Sequence, residues 1–104
     1  MTDFSDFGVS DETLRGLATM GFEAPTPVQE RAIPCLLQGR DVIAQALTGT
    51  GKTAAFGVPI ADRVDPDRHV PQAIVMTPTR ELAIQVTDQL CKIGHYRGVS
   101  AIPI

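Results

Sequence analysis

The sequence predicts an α/β domain in which a parallel sheet is flanked by helices. In residues 39–104, short apolar segments alternate with segments of helical periodicity, the pattern typical of parallel strand–helix–strand units. Residues 1–38 add two helices before them, and 104 residues allow one small domain at most. Three parallel strands leave sheet edges unpaired, and the last segment stops in mid-pattern. We therefore expect residues 39–104 to be the first part of a larger, incomplete domain.

The N-terminal region carries recognisable helix start and stop signals. Ser10 is a suitable N-cap, acidic residues follow it, and Gly21 lies where the first helix is expected to end. Thr26 precedes a proline at the first helical position, so a second helix is predicted to run to about Leu37. Pro34 lies inside that span and predicts a kink or an early stop.

The second region alternates strands with helices. The predicted strands are 41–46, 72–77 and 99–104, each rich in apolar residues. A helix is expected from Ala54 toward Arg63, and another from about Thr79 to Ile93. Because the order is β-α-β-α-β, the strands are predicted to be parallel.

Composition excludes several classes of protein. The net charge of −3 argues against a diffusely basic nucleic-acid binder, although it leaves room for a local phosphate site. No apolar run approaches the ~20 residues of a membrane span, and no secretory signal is visible, so we expect no membrane partner. Cys35 and Cys91 form no metal motif. We expect them to be reduced thiols in a cytoplasmic protein.

The most informative segment is ALTGTGKT, residues 46–53, between a predicted strand and a predicted helix. Gly49 and Gly51 allow backbone N–H groups to converge on phosphate oxygens, and the following helix presents its positive end. Lys52 can reach the β- and γ-phosphates, and the Thr53 hydroxyl can bind Mg²⁺. Ala46 stands where the usual phosphate-loop pattern begins with glycine. The alternative is a glycine-rich surface turn with a solvated lysine.

Three segments together indicate a family. GFEAPTPVQ (21–29), AQALTGTGKT (44–53) and PTRELA (78–83) resemble, in order and spacing, the Q motif, phosphate loop and PTRELA motif of DEAD-box RNA helicases. In that family the phosphate loop begins with alanine, as it does here. The resemblance implies a partial RecA-like P-loop NTPase domain, with a second RecA-like domain expected in the full-length chain.

The resemblance also implies an ATP site. Gln29 would read the adenine edge, Phe4, 17 positions before Gly21, would stack on the base, and Glu23 would add a backbone contact. The triphosphate would be held by Thr48, Gly49, Thr50, Gly51, Lys52 and Thr53. Among these, Lys52 and Thr53 would be the catalytic pair, with Thr53 binding Mg²⁺ through the nucleotide.

An RNA contact is implied by the third motif. Pro78, Thr79 and Arg80 would touch the sugar–phosphate backbone of one RNA strand without reading its sequence. The PTRELA motif follows the second predicted strand.

Several of these residues have simpler structural interpretations. Thr26 and Gln29 match a capping box, in which Gln29 satisfies a helix-end donor, and both roles could coexist. Phe4 could be an ordinary apolar anchor. Thr79 could cap the helix that follows it, and Arg80 could pair with the adjacent glutamate.

The 104 residues contain no D-E-A-D and no S-A-T sequence. Phosphoryl transfer needs an acidic residue that holds Mg²⁺ and positions water. We therefore expect an ATP-dependent RNA helicase as the parent protein, whereas the segment alone would not hydrolyse ATP. The alternatives are a catalytically inactive adenine-nucleotide-binding fragment and a truncated piece that associates through its open sheet edge.

Overall fold

The computed structural model describes residues 3–45 and 51–104 of the chain. The described residues form four α-helices and two short 3-10 helices. In chain order these are a 3-10 helix Phe4–Phe7, α1 Asp11–Thr19, α2 Pro27–Leu37, α3 Lys52–Arg63, α4 Arg80–Ile93 and a 3-10 helix His95–Arg97.

The helix boundaries confirm the sequence signals closely. The Ser10 hydroxyl accepts a hydrogen bond from the Thr13 backbone N–H at 3.3 Å, as an N-cap should. At the other end of α1, Gly21 has φ +87°, a left-handed conformation that glycine adopts without steric cost. Helix α2 continues through Pro34 to Leu37, so the possibility of an early stop there was wrong.

The predicted parallel sheet is not confirmed. None of the described residues forms a strand, and the segments 41–45, 72–77 and 99–104 are irregular; position 46, the end of the first predicted strand, lies outside the described residues. The side chains of Ile43, Ile74 and Met76 are 100%, 84% and 90% exposed. A strand needs a neighbouring strand for its backbone hydrogen bonds, and these segments do not supply one another with such bonds.

The hydrophobic core is centred on α3, which packs against α2 on one side and α4 on the other. Val58 of α3, Ile33 of α2 and Ile93 of α4 are all 0% exposed. The 3-10 helix at the N-terminus adds Phe4, and α1 adds Leu17, to the same buried cluster. The core therefore joins both sequence regions, residues 1–38 and 39–104, into one unit.

The carboxyl end of α3 is held from outside by Arg97. Its Nη1 donates hydrogen bonds to the backbone oxygens of Ala61 and Val64, both at 2.8 Å. These are carbonyl groups that the helix leaves without internal partners, and a cation at this end also meets the negative pole of the helix. Among the described helices, none is long and apolar enough to cross a membrane.

Candidate nucleotide site

Helix α3 begins at the described end of the glycine-rich loop. Gly51 is its N-cap, with φ +83° and ψ +28°, and Lys52 and Thr53 are its first two residues. Lys52 is exposed and Thr53 is half-buried. The first turn contains no acidic residue, so the N–H groups that the helix leaves without internal partners and Lys52 together favour an anion. Thr48, Gly49 and Thr50 lie outside the described residues.

Gln29 connects the start of α2 to the start of α3. Its side chain is 0% exposed. Its Nε2 donates to the backbone oxygen of Gly51 at 3.0 Å, and its Oε1 accepts from the backbone N–H of Thr26 at 2.9 Å. The second bond confirms the capping interpretation of Gln29. The first bond joins two motifs that are 22 residues apart in the sequence.

Gly51 is required by this packing as well as by its backbone conformation. A Cβ at this position would overlap Nε2 of Gln29 and would lie 3.4 Å from Oγ1 of Thr26. Positive φ already disfavours any other residue there. The glutamine side chain therefore occupies the space that a side chain at residue 51 would need.

Two polar groups at this junction, the Gln29 amide and the Thr26 hydroxyl, could each form further hydrogen bonds beyond those found among the described residues. The Gln29 amide makes one bond through its oxygen and one through its nitrogen. An amide oxygen can accept a second hydrogen bond, and an amide nitrogen can donate a second. The Thr26 hydroxyl is buried; it faces the Gln29 backbone N–H in the capping box and has no other hydrogen-bond partner among the described residues. Both groups face Gly51, so the polar capacity is concentrated beside the amino end of α3.

Phe4 lies in the hydrophobic core. It is 5% exposed, and its ring meets those of Phe7 and Phe22 edge to face, with centroids 6.0 Å apart in each pair. Its interpretation as an apolar anchor is thus confirmed. Phe22 belongs to the GFEAPTPVQ segment, so the aromatic contact brings Phe4 to that motif. Glu23 is exposed in the connection between α1 and α2.

The third motif begins α4. The Thr79 hydroxyl accepts from the backbone N–H of Leu82 at 3.2 Å, which confirms that Thr79 caps this helix. Pro78 and Arg80 are exposed. Arg80 makes no salt bridge with Glu81, since the ion pair found among the described residues joins Asp88 and Lys92. The guanidinium of Arg80 is therefore available at the amino end of α4.

Two surface grooves lie away from this junction. A groove of about 480 Å³ runs between α2 and residues 42–45, and a second of about 450 Å³ runs between α3 and residues 72–73. Neither is lined by Gln29, Lys52 or Thr53. Both grooves border segments that were expected to be strands. Within residues 3–45 and 51–104 no cluster of three or more His, Cys, Asp or Glu residues could hold a metal ion.

Sequence reasoning missed one polar side chain near the core, Asp62 of α3. Its Oδ1 accepts hydrogen bonds from the backbone N–H of Ser10 and from the Thr13 hydroxyl, both at 2.9 Å. The partners are 52 and 49 residues away along the chain. No local signal in the sequence identifies such a pairing, because it depends on how α1 and α3 are placed.

Comparison with known proteins identifies the family. The sequence profile of the DEAD/DEAH box helicases matches residues 26–103. The chain therefore belongs to the DEAD/DEAH box helicase family, which confirms the resemblance found in the three motifs. Both the Q-motif glutamine and the start of α4 lie inside the matched range.

The chain is similar in sequence to DEAD-box ATP-dependent RNA helicases. CshA of Bacillus cereus (strain ATCC 10987 / NRS 248) is 54% identical over 104 residues, which is 100% of this chain and 20% of that protein. CshA of Bacillus subtilis (strain 168) is 50% identical over 101 residues, 97% of this chain and 20% of that protein. The chain thus spans about a fifth of the length of these relatives.

Solved structures of DEAD-box proteins share the fold of this chain. S. cerevisiae Dbp5 bound to RNA and ADP BeF3 matches with a TM-score of 0.90 and 40% identity, over 95% of this chain and 26% of that one. A DEAD box protein from the hyperthermophile Methanococcus jannaschii matches with a TM-score of 0.84 and 40% identity, over 90% and 26%. The described helices therefore have the arrangement found in the corresponding part of these proteins.

Proposed function

We propose that these residues are the nucleotide-binding beginning of an ATP-dependent RNA helicase, and that ATP binding and hydrolysis by the full-length protein drive local remodelling of RNA duplexes. The observation that carries the proposal is the hydrogen bond from Gln29 to Gly51, which places the Q-motif glutamine at the amino end of α3. Family membership and the CshA relatives support the same activity. A second RecA-like domain in the full-length protein is part of this proposal.

The adenine nucleotide would bind across this junction. Gln29 retains one acceptor and one donor, the pair needed to match N6 and N7 of adenine. The phosphates would lie at the N-terminus of α3, held by residues 48–53, with Lys52 supplying a positive charge. Phe4 and the backbone near Glu23 would line the base side of the site.

Mg²⁺ fits the donor present at this position. The Thr53 hydroxyl is a hard oxygen ligand, and magnesium prefers a few protein oxygens together with phosphate oxygens. When bound, the ion would neutralise charge that develops on the transferring phosphate. The role of this chain would be to hold the Thr53 oxygen on the first turn of α3.

RNA would meet the amino end of α4. Arg80 is exposed and makes no ion pair with its neighbour, and the first turn of α4 offers backbone N–H groups. Together with Pro78 and Thr79, it would contact sugar–phosphate groups, which position a strand without reading its bases. We also propose a cytoplasmic location, consistent with free Cys35 and Cys91.

The two lysines of the chain allow a matched test of the catalytic proposal. Lys52→Ala in the full-length protein should reduce RNA-stimulated ATP hydrolysis by about 100-fold or more, because it removes the charge that faces the phosphates. Lys92→Ala removes an exposed lysine at the far end of α4 and should leave the rate within about twofold of the parent. Equal rates for the parent and Lys52→Ala would refute the phosphate role.

The second candidate function is an adenine-nucleotide-binding fragment without catalysis. It is favoured by the junction between Gln29 and Gly51, because binding a nucleotide there requires none of the acidic residues that hydrolysis needs for Mg²⁺ and water. We expect the 104-residue chain to bind ATP and not to hydrolyse it. RNA-stimulated phosphate release by this chain, abolished by Lys52→Ala, would exclude this candidate.

A further inference from the structure

The segment 72–77, QAIVMT, shows the side-chain alternation of a strand but has no neighbouring strand in the part of the chain that the structure describes. The side chains of Ile74 and Met76 are 84% and 90% exposed, whereas Val75 between them is 36% exposed. Ala73 lines the groove beside α3, so Ala73 and Val75 lie on the inner side and the other two face outward. Among the described residues, no backbone group of residues 73–76 makes a hydrogen bond. The segment therefore presents an apolar face together with unpaired backbone groups.

Both ends of this segment are held in place. At its start, the Gln72 amide nitrogen donates to the backbone oxygens of Asp65 and Arg68, at 2.8 and 3.3 Å. The Gln72 amide oxygen also accepts from the Asp65 backbone N–H at 3.0 Å. At its end, the Thr77 hydroxyl donates at 3.0 Å to the backbone oxygen of Thr79, the residue that caps α4. Because a segment held in this way loses less conformational freedom when it binds, its open face is prepared for pairing.

The composition of this segment favours an identical copy as the pairing partner. Natural edge strands commonly carry a charge or a proline that blocks pairing with another chain. Segment 41–45 begins with Asp41 and segment 99–104 contains Pro103, whereas segment 72–77 has neither a charge nor a proline. An uncharged segment offers nothing to RNA phosphates or to a charged peptide, and two copies of it approach without repulsion. Short uncharged segments of high β-propensity are those that pair with themselves.

A two-fold pairing centred on Val75 matches the segment to itself. When a two-fold axis relates two antiparallel strands, the residue on the axis lies opposite its own copy, and residues equally distant on either side lie opposite each other. Ile74 then lies opposite Met76 of the second copy, and both side chains are on the outward face. A register centred on Ile74 would instead set Gln72 against Met76, a polar side chain against an apolar one. The register around Val75 is therefore the better match.

We propose that segment 72–77 is a self-association surface, through which two copies of this chain pair as antiparallel strands around Val75. Pro71 and Pro78 lack backbone N–H groups, so they limit the pairing to the six residues between them. Association through an open sheet edge was an alternative that the sequence left open, and the exposure pattern narrows it to one segment. The pairing does not depend on the proposed nucleotide site.

Sedimentation equilibrium of the 104-residue chain, from micromolar to millimolar concentration, measures the association. The parent chain should change from monomer to dimer across this range. Ile74→Lys should raise the dissociation constant by about tenfold or more, because a two-fold interface loses the same apolar cross-strand contact twice. Ile102→Lys is the matched control, since Ile102 is also an isoleucine of an extended segment and is 78% exposed. It should leave the dissociation constant within about twofold of the parent.

A charge-pair variant tests the register. Met76→Glu alone should weaken the association as Ile74→Lys does. When both substitutions are in the same chain, each introduced ammonium lies opposite an introduced carboxylate of the other copy, so the double variant should recover most of the association at low salt. In a parallel pairing, each introduced charge would face its own copy, and the double variant would associate no better than the single variants. That result would overturn the antiparallel pairing around Val75.

Three other results would overturn the proposal. A parent chain that stays monomeric at every concentration would mean that a second copy does not occupy this surface. Association that persists in Ile74→Lys but is lost in Ile102→Lys would assign the interface to segment 99–104. The melting temperature of Ile74→Lys in dilute solution should equal that of the parent, because the side chain is exposed. A clear decrease would mean that Ile74 supports the monomer rather than the contact between copies.

Discussion

The helices and the extended segments of this chain differ in how they satisfy their backbone. Helices α1 to α4 form their own hydrogen bonds and bury a shared core around Val58, and three of them begin at a serine or threonine N-cap. The segments 41–45, 72–77 and 99–104 have comparable apolar content but expose Ile43, Ile74 and Met76. The difference teaches that a helix can be specified locally, whereas a strand is specified only together with its neighbour.

The largest expected change in the free energy of unfolding comes from comparing an isoleucine in a helix with one in an extended segment. Ile33→Ala, in α2, should lower the free energy of unfolding by about 2–5 kcal/mol, because the residue is 0% exposed and its removal leaves a cavity. Ile43→Ala, at a residue that is 100% exposed, should change it by less than about 0.5 kcal/mol. Urea unfolding of the 104-residue chain measures both values. Equal losses would mean that residues 41–45 are packed in solution.

The next largest change in stability is expected between two glutamines that make similar hydrogen bonds, Gln29 and Gln72. Gln29→Ala should cost about 2 kcal/mol, because it leaves the partly buried Thr26 N–H and Gly51 carbonyl without this partner. Gln72 makes a similar pair of bonds to Asp65: it accepts from the Asp65 backbone N–H at 3.0 Å and donates to the Asp65 backbone oxygen at 2.8 Å. These atoms are exposed, so water replaces the bonds, and Gln72→Ala should cost under about 0.5 kcal/mol.

The same two glutamine substitutions also test the proposed adenine-nucleotide site. Gln29→Ala should weaken ATP binding and reduce the preference for ATP over GTP, while Gln72→Ala should leave both unchanged. Calorimetric titration of each variant with the two nucleotides measures the difference. An unaltered preference in Gln29→Ala would remove the adenine-reading role and leave Gln29 with a structural role only.

The smallest effect concerns the surface of the helical region. The ion pair between Asp88 and Lys92 of α4 spans 3.0 Å, and its side chains are about 60% exposed. Breaking it with Lys92→Ala should change the free energy of unfolding by less than about 0.5 kcal/mol, and added salt should reduce that change further. A loss comparable with that of Ile33→Ala would show that surface charge, rather than the core, holds α4 in place.

Local chemistry made the helices predictable. The caps at Ser10 and Thr79, the proline after Thr26 and the glycine at position 21 each act within a few residues, so they can be read in the sequence. The three motifs were predictable for the same reason, and the family match confirms the identification they gave. The capping role of Gln29 was also visible in its spacing from Thr26.

Contacts between distant elements could not be predicted in this way. The bond from Gln29 to Gly51 and the attachment of Ser10 and Thr13 to Asp62 join residues 22 to 52 positions apart. The exposure of Ile43 and Ile74 depends likewise on which strands are present to pair with them. Sequence alone determined the four helices, the caps of α1, α2 and α4, and the family, because those signals act over one or two turns. Only the tertiary structure decided which side chains meet across α3, because hydrogen bonds and packing depend on distances in space.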